Sequence, residues 1–188
     1  MSDVEAGVNP VCGRPRMLPA VRTDVTRDLR IELLIHILDE AFDRAGWHGP
    51  TLSNALRGVT AADAAWRPRP DRHSVWGLAL HAAYWKYVVR RRLTGASRGS
   101  FPRKPSNFPA PPERPDDSAW AEDLTLLRGE HQRLREAVAA FPPSALDQKP
   151  AKSKWTNAAH IYGVAAHDAY HAGQIQLLKR LRRRPPDR

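Results

Sequence analysis

Residues 165–175 read Ala-Ala-His-Asp-Ala-Tyr-His-Ala-Gly-Gln-Ile and lie inside a long helical pattern that contains no proline. Side chains four residues apart on an α-helix lie on the same face, with their β-carbons about 6 Å apart. His167 and His171 can therefore point to one common position. Two imidazoles at this spacing supply half of a metal site, so another ligand is expected elsewhere in the chain.

Periodic apolar residues predict that this segment belongs to the last of four long helices. The long helices are expected at about 23–45, 75–93, 118–141 and 157–183, with a short helix at about 51–57. In the third long helix, apolar side chains recur at alternating steps of four and three residues, which is typical of a helix in a bundle. The sequence therefore predicts an all-α protein, a four-helix bundle with long crossover loops and one short extra helix.

Two proline-rich connections separate the long helices. Residues 58–73 are expected to lack regular structure because Pro68 and Pro70 interrupt them, and residues 95–116 contain six prolines. Loops as long as the second one are usually functional or disordered in a compact domain. We expect a flexible N-terminal arm at 1–22, the helical domain at 23–184 and a C-terminal tail at 185–188.

Length and composition fit one ordinary domain. A chain of 188 residues with 41% hydrophobic and 27% charged residues can bury a sizeable core. It has neither the run of about 20 apolar residues that a membrane span needs nor a secretory signal pattern, so a cytoplasmic location is expected. Cys12 is the only cysteine, which excludes an intramolecular disulfide and a cysteine-based zinc site. A metal would need histidine or carboxylate ligands.

Two basic clusters account for the net charge of +10. Residues 90–104 contain six Lys and Arg and no acidic residue, and residues 179–188 contain six against Asp187 alone. Each cluster begins near the end of a predicted helix, where cations offset the helix dipole. The alternative interpretation is a surface that binds an anionic partner.

His81 is the candidate third metal ligand, because it interrupts the apolar face of the second long helix near its middle. Three neutral imidazoles leave coordination positions open, as catalytic metal sites do. A buried histidine held by one hydrogen bond is the alternative. His131 also lies on a helix seam and is interpreted as a core or supporting residue, although the pattern leaves a triad that includes it open. His160 lies two helical turns from His167, about 10 Å along the axis, which is too far to share its metal.

Two neighbours of the histidines are further site candidates. Asp168 is the candidate catalytic residue, since a carboxylate after the first histidine of such a pair acts as general base in metalloproteases. Aspartate is one methylene shorter than the glutamate used there, which favours a supporting hydrogen bond instead. Gln174 lies one turn after His171 and is the candidate substrate-binding residue, with packing as the equal alternative.

Residues 72–85, from Arg-His-Ser-Val-Trp to His-Ala-Ala-Tyr-Trp, and residues 167–174 together resemble the DinB-like superfamily, which includes the YfiT-like group of metal-dependent hydrolases. The resemblance covers about residues 25–182. It implies a four-helix bundle, often a homodimer, whose metal is held by one histidine of the second helix and a histidine pair of the fourth. In this sequence those positions are His81, His167 and His171.

The expected cofactor is a divalent metal ion, with zinc or nickel favoured because both suit imidazole ligands. Such a site can activate water or a thiol. We therefore expect a hydrolase or a thiol S-transferase, the latter an activity of relatives that use low-molecular-weight thiols, acting on a small molecule in stress response or detoxification.

The alternative is a non-enzymatic, DNA-damage-inducible binding protein whose basic clusters at 90–92 and 179–184 contact nucleic acid. No recognition-helix or zinc-finger pattern supports sequence-specific DNA binding. A dimer with a vestigial site is a third interpretation.

Overall fold

Six α-helices make up the fold in the computed structural model, which describes residues 28–183. They are α1 (Leu29–Phe42), α2 (Leu52–Leu56), α3 (Ala61–Ala65), α4 (Val75–Thr94), α5 (Asp117–Ala139) and α6 (Asn157–Arg183). A single 3₁₀ turn, Pro143–Ala145, follows α5. Residues 28–183 contain no β-strand, which confirms the all-α prediction. The predicted arm at 1–22 and tail at 185–188 lie outside the described residues.

One of the two proline-rich connections contains more regular structure than the sequence predicts. Residues 58–73 were expected to be irregular throughout, but Ala61–Ala65 form α3. The Thr60 side chain caps this helix by accepting a hydrogen bond from the amide of Asp63 (3.1 Å). Pro68 and Pro70 follow the helix and do not interrupt it. The fold therefore contains two short helices, α2, which was expected, and α3, which was not.

Local capping fixes both ends of α4, the helix that carries His81. The Ser74 hydroxyl accepts a hydrogen bond from the amide of Gly77 (3.1 Å), and Gly95 ends the helix with a φ of 70°. That left-handed conformation favours glycine, which has no β-carbon to clash. The observed bounds of this helix differ from the predicted 75–93 by one residue at its C-terminal end.

The four long helices form a ring in which α1 and α4 each pack against α5 and α6. Helices α4 and α6 are antiparallel, because Lys86 pairs with Asp168 while the later Arg92 contacts the earlier His160. The same logic makes α1 and α5 antiparallel, since Asp39 pairs with Arg135 and Phe42 stacks on His131.

Helices α4 and α5 run parallel. Trp76 donates to Asp123 near the start of both helices (2.7 Å), and Arg90 pairs with Glu130 further along each (3.1 Å). Together with the antiparallel pairs, this gives an up-down-down-up bundle. The loop at 95–116 must then return along the bundle to connect two parallel helices, which explains its length.

The core divides into two apolar clusters with a polar layer between them. One cluster surrounds Trp76, Trp120 and Ile175, and the other surrounds Leu38, Leu134 and Ile161. Each long helix contributes buried polar side chains to the layer between the two clusters. They are Asp39 of α1, Lys86 of α4, Glu130 and His131 of α5, and Asp168 of α6.

The Lys86–Asp168 ion pair joins α4 to α6 within this layer, and both side chains are 0% exposed. Lys86 also lies over the Phe42 ring, 4.9 Å from its centroid, so the ammonium contacts α1 as well. No helix within residues 28–183 is long and apolar enough to cross a lipid bilayer.

We predict that Lys86→Met destabilises the protein by about 3–5 kcal/mol, because it leaves the Asp168 carboxylate buried without its partner. Urea denaturation in the presence of a metal chelator measures the loss. Lys149→Met, the same substitution at an exposed position, is the matched control and should change the free energy of unfolding by less than about 0.5 kcal/mol.

The double variant Lys86→Met/Asp168→Leu should recover part of that loss, since it removes both buried charges together. Equal effects of Lys86→Met and Lys149→Met would contradict a structural role for the ion pair.

Candidate metal centre

Three imidazoles from two antiparallel helices meet between α4 and α6. The Nε2 atom of His167 lies 3.0 Å from Nε2 of His81 and 2.9 Å from Nε2 of His171. The ligand nitrogens of all three residues lie within 4.8 Å of one another. Fold and spacing therefore bring together the same three histidines that the sequence selects.

A hydrogen bond from His81 to the loop at 95–116 sets the orientation of its ring. Its Nδ1 lies 2.5 Å from the backbone oxygen of Asn107. A carbonyl only accepts hydrogen bonds, so the proton is on Nδ1 and the Nε2 lone pair faces the other histidines. Asn107 has a φ of 71°, a left-handed conformation that asparagine adopts more readily than most residues. Phe108 then stacks on the His81 ring at a centroid distance of 3.7 Å.

Gln174 plays the corresponding role for His171. Its Oε1 accepts a hydrogen bond from His171 Nδ1 (2.6 Å), and its Nε2 donates to the Tyr170 hydroxyl (3.1 Å). With the Gln174 oxygen facing His171, the imidazole proton is on Nδ1 and the Nε2 lone pair is free. Gln174 is thus engaged in supporting a candidate ligand, and its predicted contact with substrate stays a prediction.

The short distances between the Nε2 atoms of the three histidines are explained better by a shared cation than by hydrogen bonds between the rings. His81 and His171 both direct an Nε2 lone pair at His167, whose single Nε2 proton can satisfy only one of them. A divalent ion among the three lone pairs would satisfy all of them, at the distances of about 2.0–2.1 Å typical of zinc and imidazole. His167 Nδ1 has no hydrogen-bond partner within residues 28–183, so its ring orientation depends most on such an ion.

Burial keeps the three imidazoles neutral near pH 7. Desolvation lowers the pKa of His81 to about 4 and that of His167 to about 3, and it also lowers the pKa of His171. Neutral imidazole is the form that binds a metal, so protons compete weakly for these nitrogens.

Asp168 lies behind the histidines in the polar layer of the core. Its carboxylate is fully buried and paired with Lys86, and its Oδ1 has no partner in the described part of the chain. Burial raises the pKa of this carboxyl group, while the Lys86 ammonium opposes the rise. These contacts favour the structural alternative for Asp168, and its predicted catalytic role stays a prediction.

The other two histidines on helix seams lie outside the cluster. His131 is buried and stacks on Phe42, with ring centroids 3.9 Å apart. His160 contacts Arg92 and Ser153 at distances of 3.2 and 2.9 Å. The triad that includes His131, left open by the sequence pattern, is therefore not the one that the fold assembles.

A cavity of about 1050 Å³ opens beside the cluster and reaches His167. Helix α4 contributes Trp85 and Arg92 to its wall, α6 contributes His160 and Tyr162, and residues 150–155 close one side. Trp85 lines the cavity next to His167, and the ring centroids of these two residues are 6.3 Å apart.

Sequence reasoning missed Asn107, Phe108 and Lys86. A lysine inside the apolar stretch 82–89 of a core helix was a usable signal for Lys86, because a buried cation requires a partner. Asn107 and Phe108 carried no such signal, since their contribution depends on how the loop returns along the bundle.

A comparison with protein families agrees with this geometry. The sequence model of the DinB superfamily matches residues 26–175, most of the chain. The chain belongs to the DinB superfamily. The match confirms the resemblance noted in the sequence, and the matched range of this DinB-superfamily protein includes His81, His167 and His171. No curated protein and no solved structure shows significant similarity to it.

We predict that the metal-free protein loses stability as the pH falls from about 6.5 to about 4. Unfolded histidines bind protons with a pKa near 6.5, whereas burial lowers the pKa of His131 and His167 to about 3 in the folded protein. The unfolded state then binds more protons, so the free energy of unfolding decreases as the pH falls. Urea denaturation at a series of pH values, with a chelator present, measures the slope.

His131→Gln is the test variant for this slope, because it removes one titrating imidazole without touching the three-histidine cluster. Its free energy of unfolding should fall less steeply than that of the wild type between pH 6.5 and 4. Identical slopes for the two proteins would contradict a lowered pKa for His131.

Proposed function

We propose that this DinB-superfamily protein binds a divalent metal ion, zinc or nickel, through His81, His167 and His171 and is a metal-dependent enzyme acting on a small molecule. The observation that carries the proposal is the convergence of three Nε2 atoms whose nearest distances are 3.0 and 2.9 Å. The Asn107 carbonyl and the Gln174 amide hold two of the rings in the orientation that a metal requires.

Hydrolysis and thiol transfer are the two reactions that such a site supports. A bound divalent ion would supply Lewis acidity toward a water molecule or an incoming thiol. The protein itself supplies a rigid ligand set, an apolar shield from Phe108 and Trp85, and a cavity that leads to His167. These features suit a small substrate, including a low-molecular-weight thiol, in stress response or detoxification.

We also propose that the protein is a homodimer. The outer face of α6 exposes several large apolar side chains to solvent. They are Tyr170, Leu177 and Leu181. Such a row is suited to packing against a second copy. The cytoplasmic location stays a prediction from the sequence.

The nucleic-acid alternative has less support, because three cations of the two basic clusters already have partners within the fold. Arg90 pairs with buried Glu130 (3.1 Å), and Lys179 donates to the backbone oxygens of Ala55 and Arg57. Arg182 pairs with Asp63. Cations with partners inside the fold are less available for phosphates, which favours the enzyme over the DNA-binding protein.

We predict that the purified protein contains about one divalent metal ion per chain and that His167→Ala abolishes this content. Elemental analysis measures the metal. Zinc or nickel should also raise the melting temperature of the chelated wild type, by a stabilisation of about 2.7 kcal/mol at a concentration of 100 Kd. His167→Ala should show no such rise.

His36→Ala is the matched control, since His36 is an exposed residue paired with Glu40 and should leave metal content unchanged. Gln174→Ala should retain the site but weaken metal affinity by about 10–100-fold, the usual cost of losing a residue that orients a ligand. Two results together would refute the proposed site. The purified wild type would contain no stoichiometric divalent metal, and His167→Ala would leave the melting temperature and the metal binding unchanged.

We predict activity in one of two substrate panels, activated esters or amides for a hydrolase, and low-molecular-weight thiols with an electrophilic acceptor for a transferase. Product formation is measured with the metal-loaded protein. Chelation and His171→Ala should each reduce the rate by at least about 100-fold, because both remove the metal. Equal rates for the loaded and chelated proteins would contradict metal-dependent catalysis.

A further inference from the structure

The cavity beside the three histidines has a strongly cationic wall. Five basic side chains line it: Arg91, Arg92, Arg98, Lys152 and Lys154. No Asp or Glu is among its lining residues in the described part of the chain. The cavity therefore concentrates positive charge without a carboxylate to balance it.

Arg92 is the most constrained of these cations. Its described side-chain contacts are with the ring nitrogens of His160, at 3.2 and 3.4 Å. Burial lowers the pKa of Arg92, and the charges of Arg91 and Arg98, which line the same cavity, lower it further. A partly buried cation with like-charged neighbours is stabilised when an anion binds beside it.

Aromatic side chains occupy the rest of the wall. Trp155 and Tyr162 line the cavity, and each exposes more than half of its surface. Trp85 continues this apolar surface to the edge of His167. A ligand that bridges the two regions would need an anionic group joined to an apolar body.

The spacing of residues along α6 indicates how long such a ligand would be. His160, beside Arg92, lies seven residues before His167 on α6, which is about 10 Å along the helix axis. An anion held at Arg92 would therefore leave the other end of a small organic molecule near the candidate metal.

We propose that this cavity binds a small organic anion, with its carboxylate or phosphate group at Arg92 and Arg98 and its apolar body extending along Trp155 and Trp85 toward His167. The proposal rests on the proposed function in one respect, that the three-histidine cluster is where the bound molecule reacts. It adds the chemical class of the substrate. A cavity of about 1050 Å³ holds a small molecule and does not admit a nucleic-acid duplex.

Ligand titration monitored by tryptophan fluorescence tests the proposal, because Trp85 and Trp155 line the cavity. The probes are phenyl phosphate, phenylacetate and the uncharged phenylacetamide. Each is titrated into metal-loaded protein and into chelated protein. Binding of either anion to both forms, with phenylacetamide at least about tenfold weaker, is the expected result. The two anions show whether a phosphate or a carboxylate is preferred.

The test variant is Arg92→Gln/Arg98→Gln, which should weaken anion binding by about tenfold or more. Arg128→Gln/Arg133→Gln removes the same charge from exposed positions of α5 and should bind like the wild type. Arg98→Gln alone, at an exposed loop position, should show part of the loss and keeps the test valid if the double variant is unstable. Metal content is measured on every variant.

Two kinds of failure are distinguishable. Anion binding without metal binding would refute the proposed enzyme while leaving the anion site intact. Equal binding of phenylacetamide, unchanged binding in the Arg92→Gln/Arg98→Gln variant, or no saturable quenching by either anion at millimolar concentrations would overturn the inference. Tighter binding of a duplex oligonucleotide that also depends on Arg92 and Arg98 would overturn it in favour of a nucleic-acid surface.

Discussion

The buried Lys86–Asp168 ion pair is the interaction on which the rest of the bundle depends. It lies between two apolar clusters that would otherwise allow α4 and α6 to slide past each other. A shift in register would leave each of the two charges buried without its partner, which costs several kcal/mol, whereas apolar packing tolerates small shifts. The polar layer therefore sets the relative height of the two helices that carry all three candidate metal ligands.

The register of α4 and α6 at the polar layer also determines how the candidate metal ligands are placed. Asp168 follows His167 in the chain, and Lys86 lies five residues after His81, so the ion pair constrains the two histidines directly. The loop at 95–116 then adds the Asn107 carbonyl and the Phe108 ring from outside the bundle. The candidate site thus combines a fixed helix register with a loop whose course follows from the parallel arrangement of α4 and α5.

Much of the fold was predictable because its signals are local. Apolar periodicity, the Ser74 cap and Gly95 lie within single helices, and the predicted bounds of α4 and α6 differ from the observed ones by no more than one residue. The histidine set was also accessible, since spacing places His167 and His171 on one face. Helix α3 was not predicted, because the prolines at 68 and 70 were taken to exclude regular structure from all of residues 58–73. They do not affect the first half of that segment, where α3 lies. Asn107, the polar layer and the basic cavity depend on contacts between distant segments, which periodicity does not encode.

The distribution of the ligands along the chain has a consequence during synthesis. His81 and His167 are separated by 86 residues, and the histidine pair belongs to the last helix of the bundle. While the chain leaves the ribosome, His81 and the Asn107 carbonyl are available long before α6 exists, because the N-terminal part emerges first. A single imidazole holds a metal ion weakly. The proposed three-histidine site can therefore form only after α6 has been made, so metal capture at this site would coincide with the completion of the bundle.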